Sequence, residues 1–85
     1  METTKLVTNR LQYLCSKRGF SINKLANISG ISPSTLKSIL YGKSRNPGVV
    51  TLKILCDGLD ITLAEFFDTA EFNSLEQEIE WVEGG

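Results

Sequence analysis

A chain of 85 residues, 41% of them hydrophobic, has room for one domain and one modest core. It holds no His and only two Cys, which excludes the common four-ligand zinc patterns. The net charge of −1 argues at first against a polyanionic partner, but its distribution reverses that argument. All nine Lys and Arg lie at or before Lys53, against Glu2 alone, whereas residues 54–85 hold nine acids and no base. No apolar run approaches the length of a membrane span, and Met1-Glu2-Thr3-Thr4-Lys5 lacks a signal-peptide core, so a soluble cytoplasmic protein is expected.

The spacing predicts helices throughout. The first covers about residues 4–18, with Val7, Leu11, Leu14 and Cys15 as its apolar stripe, and Lys17-Arg18-Gly19 as its stop. Ser21 caps a second helix over Ile22–Ser29, which Gly30 ends by admitting a positive φ. Ser32-Pro33 starts a third helix, a cap serine followed by proline at the first helical position, and it runs to Tyr41 before Gly42. A basic loop follows, Lys43-Ser44-Arg45-Asn46-Pro47-Gly48. A fourth helix over residues 49–59 draws its buried residues from Val50, Leu52, Leu55, Cys56 and Leu59, with Gly58 weakening its last turn by about 1 kcal/mol relative to Ala. The fifth opens on a capping box, Thr62-Leu63-Ala64-Glu65, and contributes Leu63, Phe66 and Phe67. Beyond it, Phe72, Leu75, Ile79 and Val82 share one face among glutamates, which predicts an acidic amphipathic helix of about three turns. Cys15 and Cys56 sit among Leu and Ile at helical spacing and read as reduced core residues, although a single disulfide between them is compatible with the count.

The second helix, the turn at Gly30 and the third helix form a helix-turn-helix pattern, with small Ala26 at the crossing and Leu25, Ile31, Leu36 and Ile39 facing inward. In order and spacing, Leu25-Ala26, Gly30, Ser34-Thr35, Gly42-Lys43, Asn46-Pro47 and Leu63-Glu65-Phe66-Phe67 resemble the phage-repressor and Cro-like (XRE) transcriptional regulators. That resemblance covers about three quarters of the chain. It implies an all-α, five-helix repressor-like DNA-binding domain over residues 1–68, whose third helix enters the major groove, commonly as a dimer. Residues 69–85 form an acidic tail outside the shared pattern. Ile22 stands where the family usually has a phosphate-contacting Gln, and Leu40 where many members have Glu; the latter implies extra burial or a partner surface.

The resemblance assigns base-edge contacts to Pro33, Ser34, Lys37 and Ser38. Lys37 has the chemistry to donate to guanine O6/N7, and Pro33 offers only apolar contact to a thymine methyl. Phosphate contacts are expected from Ser21, Asn23, Ser32, Thr35, Tyr41, Lys43, Ser44, Arg45 and Asn46, because helix N-termini and a basic loop both favour anions. Among the remaining cations, Arg10 is the best candidate to support this face. Phe72, Leu75, Ile79, Trp81 and Val82 are expected to mediate self-association or to pack back on the domain.

Without His there is no Ser-His pair, and no phosphate-cradling glycine loop occurs, so neither catalysis nor a cofactor or metal is expected. The leading expectation is therefore a sequence-specific regulator of double-stranded DNA, a repressor acting as a homodimer. The alternative is a protein-interaction module, such as an antitoxin whose acidic tail binds a basic partner protein.

Overall fold

The structure, a computed structural model, describes residues 2–41 and 46–80. Six helices follow one another: α1 (Glu2–Arg18), α2 (Ile22–Ser29), α3 (Pro33–Tyr41), α4 (Val49–Gly58), α5 (Leu63–Phe67) and α6 (Ala70–Asn73). The described residues contain no strand, so the expected all-α architecture holds. None of these helices is long and apolar enough to cross a membrane.

Three local starts follow the predicted cap chemistry. Ser21 Oγ accepts a hydrogen bond from Lys24 N, and Ser32 Oγ accepts one from Thr35 N. At α5 the Thr62 hydroxyl accepts from Glu65 N while Glu65 Oε1 accepts from Thr62 N, a complete capping box. Donation by Thr62, chiefly from its backbone N–H, holds the Glu65 carboxyl below its ordinary pKa.

One core joins α1 to α5. Leu11, Leu25, Leu36, Leu55, Cys56 and Phe66 are fully buried within it. α2 packs on α3 and α4, α1 packs on α3, and α5 packs on α4. Leu40 belongs to this core, so the departure at that position is explained by burial. Cys15 and Cys56 are buried free thiols, and desolvation pushes both pKa values upward. On α4, Leu52, Leu55, Cys56 and the following Leu59 are buried, but Val50 is 70% exposed. The helical period turns it away once Leu52 and Leu55 face the core.

After Asn73 the acidic helix expected over 72–82 is not continued: the described residues 74–80 are non-helical, and α6 spans only four residues. At the end of α6 the Ser74 hydroxyl and the Ser74 N–H both donate to the Ala70 carbonyl. In a continued helix Glu76 and Glu80 would fall one turn apart with no cation to offset them, which disfavours propagating it.

Gly58 on α4 lies against Ser29, Leu25 and Ile28 of α2 with no room for a side chain. A Cβ there would lie 2.5 Å from Ser29 Oγ and 3.2 Å from Leu25 Cδ1. Ser29 Oγ is itself buried without a hydrogen-bond partner among the described residues. Ser29→Ala should therefore stabilise the fold by about 1 kcal/mol, since it removes an unsatisfied buried group. Gly58→Ala alone should destabilise it by about 1 kcal/mol through overpacking. Combined, the two should exceed their sum, because the clash disappears and alanine's helix propensity remains. A urea-unfolding double-mutant cycle checks this, and strict additivity would show that the contact has no energetic weight.

Candidate nucleic-acid interface

α2 ends in a Schellman turn. Gly30, at φ +69°, donates its N–H toward the Asn27 carbonyl, and Ile31 N donates to the Ala26 carbonyl at 3.0 Å. A side chain at position 30 would strain this left-handed backbone. Ala26 is fully buried, which lets the two helices approach. The chain then re-enters a helix at Ser32-Pro33.

The orientation of α3 follows from what it buries. Leu36, Ile39 and Leu40 face the core. At 3.6 residues per turn, that leaves Pro33, Ser34, Thr35 and Lys37 exposed, with Ser38 half-buried at the edge. The four expected base-contacting residues thus share the outward side of one helix. Ser32 adds its hydroxyl at the helix start, donating to Thr35 Oγ1 at 2.8 Å and lying 3.4 Å from Ser34 Oγ.

Of the expected phosphate-contacting residues, Ser21, Asn23, Ser32, Thr35 and Asn46 are exposed, and Tyr41 is 54% exposed. Lys43, Ser44 and Arg45 lie outside the described residues. Ser21 and Ser32 already accept helix-capping bonds, so each has a structural role whatever else it contacts.

Arg10 departs from its expected place. Its Nε donates to the Phe66 carbonyl at 2.9 Å and its Nη2 to the Glu65 carbonyl at 3.1 Å. The guanidinium also lies over the Tyr13 and Phe66 rings. It satisfies carbonyls at the end of α5, where a cation is favoured, instead of supporting the face of α3. The residue that does hold α3 from behind is Gln12, whose Nε2 donates to the Leu40 carbonyl at 3.2 Å. Sequence reading missed it because the two residues are 28 apart and a lone surface Gln carries no local signal.

The expected interface residues divide. Phe72 is half-buried against the core, its ring 5.0 Å from that of Phe67 and 6.0 Å from that of Phe66. Leu75 is half-buried, Ile79 is 70% exposed, and Trp81 and Val82 lie outside the described residues.

Comparison with known proteins gives three findings. The family model described as the Cro/C1-type HTH DNA-binding domain matches residues 10–71. The chain is 44% identical over 52 residues to the HTH-type transcriptional regulator SlrR of Bacillus subtilis (strain 168); the match takes in 61% of this chain and 34% of that regulator, so it spans about a third of the relative's length. The fold is similar to that in the crystal structure of the prophage Lp1 protein 11, with a TM-score of 0.73 and 28% identity, covering 85% of this chain and 95% of that one.

Because Ser32 caps α3, Ser32→Ala should cost about 1 kcal/mol of folding stability, while Ser32→Asp, which retains a capping oxygen, should cost far less. Urea unfolding in the absence of any ligand measures this, and an alanine variant as stable as the parent would remove the cap from the account.

Proposed function

This chain belongs to the Cro/C1-type HTH DNA-binding domain family, and we propose on that premise that it is a sequence-specific repressor reading the major groove with α3. The observation that carries the reading is the outward side of α3, where Ser34 and Lys37 are exposed above a buried Leu36–Ile39–Leu40 face. The charge distribution supports it, since no acid occurs between Thr3 and Cys56. Pro33, Ser34, Lys37 and Ser38 contact base edges. Ser21, Asn23, Ser32, Thr35, Tyr41 and the loop residues Lys43, Ser44, Arg45 and Asn46 anchor the domain to phosphates. Two copies bind half-sites about 34 Å apart, one turn of the duplex. The domain acts in the cytoplasm by occupying DNA, without catalysis or a cofactor.

Selection from random duplex DNA with the full chain at physiological salt should enrich a two-fold symmetric motif. On that motif Lys37→Ala should cost about 1–3 kcal/mol and relax preference at one position. Arg45→Ala should instead weaken binding to all sequences and reduce the salt slope by about 1. A failure to enrich any motif, with both variants binding like the parent, would defeat the reading.

A further inference from the structure

An apolar groove lies between the first turns of α1, the start of α4 and the end of α5. Its volume is about 240 Å³, and its walls are Val7, Pro47, Val49, Leu52 and Phe67, with Thr3, Thr4 and Asn46 supplying polar atoms. Val49 is 70% exposed and Phe67 37%. The acidic segment runs directly to its lip. Phe72 is packed on the core, Leu75 and Glu76 line the neighbouring depression with Glu2 and Leu6, and the Thr3 hydroxyl donates to Glu78 Oε1 at 2.6 Å. The Glu78 carboxylate therefore sits at the positive end of the longest helix, which favours it there.

We propose that this groove is the docking site for the chain's own Trp81–Val82, which the Glu78–Thr3 contact delivers to it. Trp81 follows Glu78 by three residues, a reach of about 10 Å in extended chain. Within the acidic segment, Trp81 and Val82 are the large apolar residues that come next after Ile79. An indole suits this lining, because its ring needs apolar walls and its N–H needs an acceptor such as the Thr4 hydroxyl or the Asn46 amide oxygen.

Trp81 is the only tryptophan, so the full chain carries its own probe. Its emission should lie at shorter wavelength than in the urea-unfolded chain and resist acrylamide quenching, independently of protein concentration. Val49→Asp alters an exposed wall residue and should leave the circular dichroism unchanged while shifting emission and quenching toward those of the unfolded chain. Thr3→Val, which removes the Glu78 contact, should shift them the same way. Three results would overturn the proposal: an already solvent-exposed Trp81 in the parent chain; protection that rises with concentration alongside a doubled mass, which would give the groove to a second copy; or protection indifferent to Val49→Asp.

Discussion

Burial of Leu36, Ile39 and Leu40 on one side of α3 is the constraint on which the surface chemistry of this domain depends. A nine-residue helix contributes too little of its own stability to persist in water, so it exists because that apolar side is covered by α1 and α2. The same covering fixes its rotation about its own axis. Once three residues are committed inward, Ser34 and Lys37 have no other direction to face. Rotating the helix to bury Lys37 would desolvate an ammonium and expose three large aliphatic side chains, two penalties of the same sign. The outward display is thus a by-product of core packing. The Schellman turn at Gly30 and the Gln12–Leu40 hydrogen bond fix the two ends of the helix against the body.

How much of this is legible in the sequence depends on how local the physics is. Caps and stops act within four residues, and Ser21, Gly30, Ser32-Pro33 and the Thr62–Glu65 box were all readable for that reason. The inward residues of α2 and α3 were readable from period alone. Partners drawn from across the chain were not. Arg10 reads from sequence as the best remaining cation to support the DNA face, yet it serves two carbonyls more than fifty residues away. Gly58 looked like a helix weakness, and becomes intelligible only with Ser29 and Leu25 against it. The resemblance to repressor-like regulators supplies what the residues alone could not, an expected destination for the outward side of α3.

The acidic segment shows the opposite limit. Its three- and four-residue apolar spacing is a genuine helical signal, but periodicity describes what a segment offers and not which surface accepts it. Phe72 finds the rings of Phe66 and Phe67, which ends its part in any independent amphipathic face. With Phe72 held there, the short glutamate-rich remainder has neither the length nor the charge balance to propagate a helix.

Charge segregation also looks different once contacts are known. Of nine cations, Arg10 is hydrogen-bonded to α5 carbonyls, Arg18 donates to the Asp60 carbonyl, and Lys53 is paired with Asp57 one turn away. Arg10, Lys17 and Arg18 share an open groove with Asp60, Glu65 and Asp68, so the basic and acidic halves meet along the seam between α1 and α5. The cations on that seam lie among carboxylates that lower the local positive potential. Under the proposed DNA reading, setting aside the seam cations Arg10, Lys17 and Arg18, the paired Lys53, and Lys37 at a base edge leaves Lys5, Lys24, Lys43 and Arg45 as candidates for phosphate contact. With a slope near 0.9 per neutralised phosphate, these four would limit the salt dependence of one chain on duplex DNA to a log–log slope of about 4 in magnitude. The raw count of cations would suggest about 8 on the same basis. On that reading, the difference is the part of the basic half engaged by α5 and Asp60 carbonyls, by the acidic seam, by Asp57 or by a base edge.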